Sequence, residues 1–353
     1  MKPLLVIALV AAGVVLMVPL GSFVYESGGP DACGRCHEIG PQVEKWKVST
    51  HRDVSCDKCH GDALTMEARF HLNNLHRLRT HIRDEAPERP RLKLDDVLRM
   101  QQQCQSCHQQ QFAAWRNGPH SVTYESIFLD KQHNAERKMM DDCLRCHAMH
   151  FEGAIKDLVD PVSTEGPWKL IRQDLKDSPA IPCLSCHSVH RQGQPLRGHV
   201  RKAVISRKEE LVRPSIGFFD RRSQSGIAVE MLPVPQVLDA ERPIRMSPDK
   251  RQALCYQCHA PWTASLVSTG DDRTPMGVHE GISCLACHDP HRGSTRASCA
   301  TCHPKMSNCN RDVETMDTSF FNKDSKHNIH WVNCADCHPK GIPVKHASRP
   351  IAE

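Results

Sequence analysis

The clearest hydrophobic pattern in the chain lies at its N-terminus. Residues 4–18 include no polar or charged side chain, and the apolar stretch continues to residue 25 with interruptions by glycine, proline and serine. About 20 apolar residues span a bilayer as a helix, whereas the core of a signal peptide has about 7–15. No pair of small residues well suited to signal-peptidase cleavage follows the stretch. We therefore expect residues 1–25 to form one uncleaved transmembrane helix, with a cleaved signal peptide as the alternative.

A second pattern predicts an amphipathic helix over residues 63–83. Apolar residues recur there at spacings of three and four, which places them in one stripe along a helix. His71 falls on that stripe, while His76 and His81 fall on its opposite flanks. The three histidines therefore cannot all serve one site.

The composition changes this picture, because the chain is poor in the residues that build an ordinary core. Aromatic residues make up 5% of the sequence, hydrophobic residues make up 39%, and the mean hydropathy is −0.50. Against this shortage stand 19 cysteines and 23 histidines in 353 residues. Such an excess indicates metal, disulfide or cofactor chemistry.

The cysteines follow one repeated motif. Eighteen of them form nine C-x-x-C pairs, and a histidine follows every second cysteine. C-x-x-C alone also occurs in zinc and disulfide sites, but C-x-x-C-H is typical of covalent attachment of c-type haem. We therefore predict nine covalent haems, attached through Cys33, Cys36, Cys56, Cys59, Cys104, Cys107, Cys143, Cys146, Cys183, Cys186, Cys255, Cys258, Cys284, Cys287, Cys299, Cys302, Cys334 and Cys337. The proximal iron ligands are then His37, His60, His108, His147, His187, His259, His288, His303 and His338.

The haems also account for the missing core. With so many macrocycles in the interior, we expect a mainly α fold with much irregular structure, in which short helices and loops wrap a stacked chain of haems. The formal net charge of +5 then compensates haem propionates, and we expect no nucleic-acid partner.

The remaining histidines are candidates for the second axial ligand of each iron. His150, His190 and His291 each lie three residues beyond a motif histidine, so each is predicted to reach a neighbouring haem. Recurrent sequence units around the motifs add further candidates, and two positions compete near the ninth motif. The full set of predicted distal ligands is His51, His71, His120, His150, His190, His279, His291, His327 and His330, with His346 as a further option. Histidine on both faces favours a low-potential haem that exchanges electrons without binding substrate.

The spacing of the motifs predicts the domain organisation. Residues 201–250 hold no cysteine or histidine and are rich in proline and basic residues, so we expect an extended linker. Residues 26–200 would then carry the first five haems, and residues 251–353 the last four. The odd cysteine, Cys309, has no unassigned partner in the chain, so we expect a free thiol, with an intermolecular disulfide as the alternative.

The beginning of the chain resembles a known family. The stretch CGRCHEIGPQVEKWKVSTHRDVSCDKCHGD directly follows the apolar helix and is similar to the start of the NapC/NirT/NrfH family of membrane-anchored multihaem quinol dehydrogenases. The resemblance covers about residues 1–61. It implies a single N-terminal helix in the cytoplasmic membrane, periplasmic haems, and quinol oxidation near the first haem. Family members commonly carry CHEM where this chain has His37, Glu38 and Ile39, so a methionine role at the first haem does not carry over.

Three functions fit these features. The first is a membrane-anchored periplasmic electron carrier that takes electrons from the quinol pool or a quinol-oxidising partner and passes them to periplasmic or outer-membrane redox proteins. The second is an enzyme of the nitrite or hydroxylamine class with one open haem, although no C-x-x-C-K motif is present. The third is a secreted cytochrome that forms filaments. We favour the carrier over an enzyme that converts a substrate.

Overall fold

A long apolar helix begins the computed structural model, which describes residues 3–61, 68–85, 91–191, 215–259, 273–293, 295, 298–303, 312 and 327–341. Helix α1 covers Pro3–Gly34, and Gly29 interrupts it with φ of +52°, a value that favours glycine. The segment Pro3–Gly21 is long and apolar enough to cross a membrane, with a mean hydropathy of 2.7. The apolar N-terminal helix is thus confirmed, whereas its retention as an anchor stays a prediction.

Most motif helices consist of a single turn that contains at least one of the two cysteines. The spacing of C-x-x-C matches about one turn of helix, and glycine, tyrosine or histidine follows the turn. These helices are α3 (Asp57–His60), α9 (Gln252–Cys255), α10 (Cys284–Cys287), α11 (Cys299–Cys302) and α12 (Cys334–Cys337). The fourth and fifth motifs instead begin in 3₁₀ turns at Asp141–Arg145 and Cys183–Ser185.

Longer helices connect and support the motifs. They are α2 (Gly40–Lys47), α4 (Ala68–Ile82), α5 (Leu94–Cys107), α6 (Gln109–Arg116), α7 (Tyr124–Phe128) and α8 (Lys131–Glu136). Side-chain caps fix two helix starts: Thr123 accepts from the backbone N–H of Ser126, and Asp130 accepts from that of His133. Helix α4 ends within one residue of its predicted end, and its predicted start at residue 63 lies outside the described residues.

Sheet structure in the described ranges is confined to small antiparallel pairs. β1 (Val159–Asp160) pairs with β2 (Lys169–Leu170), β3 (Gly217–Asp220) with β4 (Ser225–Ala228), and β5 (Leu238–Asp239) with β6 (Arg242–Pro243). Helical and irregular structure therefore dominates, as expected for a fold that wraps cofactors.

The region between the fifth and sixth motifs differs from the extended linker that its composition suggested. Residues 215–250 contain the β3–β4 and β5–β6 hairpins, and Phe218 and Val229 pack in a buried cluster with Met149, Leu232 and Ala253. Two adjacent phenylalanines at the start of β3 supply the apolar surface for this packing. The boundaries predicted for the separate haem domains stay a prediction.

The described chain divides into two compact units. The smaller comprises Met1–Gln109 together with His187–Pro195, and within it α1 lies against α2 and α3 against α5. The larger comprises Gln110–Cys186 and Leu196–Glu353, and within it α9 lies against α10 and β3 lies against the 3₁₀ turn Cys183–Ser185. Cys309 and His346 lie outside the described residues.

Candidate functional site

A shared backbone turn places the three functional groups of most motifs on one side of the chain. In seven motifs the backbone N–H of the histidine donates to the carbonyl of the first cysteine, at 2.8 to 2.9 Å. Residues four apart in such a turn lie on the same face, and the second cysteine lies beside them. Both thiols and the imidazole can therefore meet one planar ligand.

The thiols of the motifs are available for attachment to a cofactor. The described structure joins no two of the eighteen motif cysteines by a disulfide bond. The cluster of possible metal ligands found among the described residues contains no cysteine, which gives no support to the zinc alternative. Free thiols next to histidine are what covalent attachment of haem requires.

Histidine rings from distant parts of the chain face each other in pairs. In each pair one ring belongs to a motif and the other does not. The centroid distances are 6.1 Å for His51 and His108, 5.9 Å for His60 and His190, 6.2 Å for His120 and His259, and 6.1 Å for His288 and His330. Four of the predicted distal ligands thus lie opposite a motif histidine.

These separations fit one metal ion between two rings. An imidazole nitrogen binds a first-row metal at about 2.0–2.1 Å, so two rings on opposite sides of one ion have centroids about 6.3 Å apart. The observed distances of 5.9 to 6.2 Å are close to this value. The residues therefore fit a haem that is held by two thiols and ligated by imidazole on both faces.

Second hydrogen bonds orient several of the partner rings. His120 Nδ1 donates to the carbonyl of Pro290 at 2.9 Å, which leaves Nε2 to bind a metal. His279 Nδ1 lies 3.4 Å from the carbonyl of Ile329 in the same way. Burial lowers the pKa of His279, and the nearby His303 lowers it further. His279 is therefore placed near the motif histidine of the eighth motif.

Burial keeps the paired imidazoles in the form that ligates metals. It lowers the pKa of His51, His60, His120, His190, His279 and His288, and the pKa of His190 falls to about 4. At neutral pH these rings are uncharged, and each has a nitrogen lone pair to offer to a metal.

His150 is buried without any hydrogen-bond partner. Its side chain is 3% exposed, neither ring nitrogen has a partner, and the ring stacks on Phe219 at 3.9 Å. Burial lowers the pKa of His150 to about 4. A buried polar group without a partner costs folding free energy. The two ring nitrogens of His150 therefore indicate a binding partner, and a metal ion would satisfy one of them.

The first motif carries a cluster that the sequence reasoning missed. His81 lies opposite His37 with ring centroids 5.2 Å apart, and its Nδ1 donates to Glu38 Oε1 at 2.6 Å. The ligand atoms of His37, Glu38 and His81 all lie within 4.8 Å of one another. His71, the histidine of α4 that the helical stripe favoured, has a side chain outside the described residues. The sequence signal that could have identified His81 was its position on the flank of the apolar stripe of α4.

The other predicted distal ligands lie beside polar or thiol groups. His291 Nδ1 lies 3.7 Å from Asp289 Oδ1, and His327 Nε2 lies 3.8 Å from Cys337 Sγ. A cavity of about 410 Å³ adjoins the ninth motif at Cys334 and His338. The structure thus brings His327 to the ninth motif.

Cysteines of different motifs approach each other within each unit. In the larger unit, Cys146 and Cys258 lie close enough to shift the pKa of Cys258, Cys255 and Cys284 do the same for Cys284, and Cys186 lies near Cys255. In the smaller unit, Cys33 lies near Cys56, and Cys59 lies near Cys104 and Cys107. Groups attached to these thiols would be neighbours in space.

Comparison with known families gives one match. Residues 29–200 match the family model described as outer membrane cytochrome MtrC/MtrF-like, domains II/IV. This is not the NapC/NirT/NrfH family that the first residues resemble, so that resemblance stays a prediction. No curated protein and no solved structure matches the chain.

Proposed function

We propose that the chain is a multihaem c-type cytochrome that holds nine haems and conducts electrons across the periplasm. The observation that carries the proposal is the set of histidine pairs, in which a motif histidine faces a histidine from another segment at 5.9 to 6.2 Å. We would not expect histidines with only a structural role to lie opposite four motif histidines at this distance.

The proposal gives each side chain a role. The motif cysteines form the thioether bonds, and the motif histidines ligate from one side. On the opposite side, His190, His51, His120, His330 and His279 serve the second, third, sixth, seventh and eighth motifs, and His81 serves the first. His150, His291, His327 and His71 remain the candidates for the other motifs.

The ligand pairs favour electron transfer over substrate conversion. Haem iron supplies one-electron chemistry, and its axial ligands set the potential and decide whether a substrate can bind. Two histidines fill both axial positions, so a substrate would first have to displace one of them.

The thiol contacts support a continuous path within each unit. Cys146 and Cys258 belong to the fourth and sixth motifs, and Cys255 and Cys284 to the sixth and seventh. Since the thioether carbons would lie at the porphyrin edge, neighbouring sulfur atoms of two motifs would bring two such edges together. Short distances between edges favour rapid electron exchange between neighbouring motifs.

The apolar helix supports a donor in the membrane. Cys33 lies within α1 itself, near its C-terminal end, so the first motif stays close to any bilayer that the Pro3–Gly21 segment crosses. We propose that α1 anchors the protein in the cytoplasmic membrane, that quinol or a quinol-oxidising subunit reduces the first haem, and that periplasmic or outer-membrane redox proteins receive the electrons.

Two measurements test the haem count and the alternative functions. Intact-mass analysis of the native protein should show nine added haems and an N-terminus that begins at residue 1. Fewer haems would contradict the count, and a missing N-terminal segment would support a secreted protein. A high-spin signal that shifts on addition of nitrite would instead support the enzyme.

Reduction by quinol in liposomes tests the donor. A soluble menaquinol analogue should reduce the full-length protein, whereas the double variant Cys33→Ala/Cys36→Ala should lose this reaction and still accept electrons from dithionite. The control Cys299→Ala/Cys302→Ala removes the eighth attachment and should keep the reaction with quinol. Equal quinol reduction of both variants and the native protein would contradict entry at the first haem.

A further inference from the structure

A buried network of polar side chains lies between the sixth and seventh motifs. Arg251 donates from Nε and from a terminal nitrogen to the two carboxylate oxygens of Asp249, both at 3.0 Å. Ser283 Oγ donates to Asp249 Oδ2 at 2.7 Å. Asp249 is 1% exposed, Arg251 7% and Ser283 4%, so the ion pair is removed from water.

The network is attached to both motifs. Arg251 directly precedes α9, which carries Cys255, and Ser283 directly precedes Cys284 and caps α10 through the backbone N–H of Leu285. The two segments are separated by about 30 residues of sequence, and Asp249 is the acceptor that connects them.

A neighbouring glutamine adds a second link between the same segments. Gln252 is 1% exposed, it donates from Nε2 to the carbonyl of Ser247 at 2.8 Å, and its Oε1 lies 3.8 Å from Cys284 Sγ. The two motifs therefore share a polar scaffold in which a displacement of one segment strains the bonds of the other.

A buried ion pair is a costly way to hold two segments together. Removing two charges from water costs free energy, and their attraction offsets this cost only when the geometry is good. Apolar residues of similar volume often stabilise the fold as much as a buried ion pair does. Both carboxylate oxygens of Asp249 are satisfied here, which reduces the penalty. We therefore infer that the two charges have a role in addition to packing.

We propose that Asp249 and Arg251 are positioning residues that hold the sixth and seventh haem attachment segments together and set the potentials of those two haems through their buried charges. The proposal rests on haem attachment at these two motifs, which is part of the proposed function. Reduction of each iron adds one electron and moves no atom.

The two charges act in opposite directions on this electron. A buried carboxylate disfavours the added negative charge and lowers the potential, while a buried guanidinium raises it, and both effects are strong because the dielectric constant inside a protein is low. Removing one partner leaves the other uncompensated. The single variants should therefore shift the potentials with opposite sign.

Potentiometric titration of the purified full-length holoprotein tests this. Asp249→Asn keeps the size of the side chain and should raise the midpoint potential of about two of the nine haems, whereas Arg251→Gln should lower it for the same two. The double variant Asp249→Asn/Arg251→Gln should return close to the native titration. Ser283→Ala removes a hydrogen bond but no charge and should produce a much smaller shift.

An exposed pair of the same kind serves as the control. Arg172 and Asp174 are also two residues apart and form two hydrogen bonds, at 2.8 and 2.5 Å, but their side chains are 42% and 57% exposed. Asp174→Asn should leave the titration unchanged because water screens an exposed charge. A shift as large as that of Asp249→Asn would overturn the proposal.

The haem content separates the possible failures. Loss of two haems from the single variant Asp249→Asn would support the positioning role. The electrostatic effect would then be tested by the potentiometric titration of the double variant. Shifts of the same sign in both single variants, or no shift in either, would overturn the proposal. If the native protein itself lacks haem at the sixth or seventh motif, the mass of the native protein shows it, and the proposed function fails instead.

Discussion

Replacement of His120 by alanine should open one iron to solvent. The ring of His120 lies 6.2 Å from that of His259, and the hydrogen bond from its Nδ1 to Pro290 fixes it there. Alanine removes the imidazole without adding volume, so the sixth motif would keep both cysteines and its own histidine. We expect this haem alone to change from low spin to high spin.

The structure gives the size of two effects. With the proposed nine haems, the one that becomes high spin should be about 11% of the total haem. The bond through the metal also closes a loop of about 140 residues between His120 and His259. The chain-entropy relation for a cross-link assigns such a loop about 5 kcal/mol at 25 °C as an upper value. The variant should therefore also unfold at a clearly lower temperature.

Electron paramagnetic resonance of the oxidised protein measures the high-spin fraction, and added imidazole should restore the low-spin form in the variant. His133→Ala is the matched control, because His133 is exposed on α8 and is not among the predicted ligands. An entirely low-spin His120→Ala protein would refute the assignment of His120, and high-spin haem in His133→Ala would refute the selectivity of the assay.

Three further variants follow from the geometry. Gly118→Ala places a Cβ 2.7 Å from the carbonyl oxygen of His291, so it should displace the segment that carries His120 and produce high-spin haem in the same resonance experiment; a native spectrum would contradict this close approach. His150→Leu conserves volume in a buried position and should create high-spin haem, whereas a native spectrum would show that His150 is no ligand. Glu280→Gln weakens the two hydrogen bonds that Arg242 donates to Glu280, both at 2.9 Å, and should lower the urea midpoint of unfolding. An unchanged midpoint would show that this ion pair adds no stability.

The attachment sites could be predicted from the sequence because their geometry is local. C-x-x-C-H fits about one helical turn, so Cys284, Cys287 and His288 come together whatever the rest of the chain does. The single apolar helix is likewise a property of consecutive residues. The match to an outer membrane cytochrome family model over residues 29–200 supports a multihaem cytochrome, while the individual attachment residues stay a prediction.

The pairing of ligands could not be predicted, because it depends on contacts between distant residues. His51 precedes the second motif but faces His108 of the third, and His190 follows the fifth motif but faces His60 of the second. Sequence spacing showed that these histidines were well placed, yet it held no information on which iron each one reaches. His81 was missed for the same reason.

The segment before α9 combines local turn contacts with a contact to a distant segment. Ser247, Pro248 and Asp249 are typical of a helix start, but α9 begins at Gln252. The Asp249 carboxylate instead accepts from Arg251 and Ser283. The same carboxylate also accepts from the backbone N–H of Arg251, so it joins the local turn before α9 to the segment before α10.

The central claim is that the histidine pairs place imidazole on both sides of the haem irons. Near-infrared magnetic circular dichroism of the fully oxidised protein tests it most directly, because its charge-transfer bands identify the axial ligands of low-spin haem. We predict bands of bis-histidine haem that account for most or all of the haem present. A spectrum dominated by histidine/methionine or high-spin haem would contradict the account.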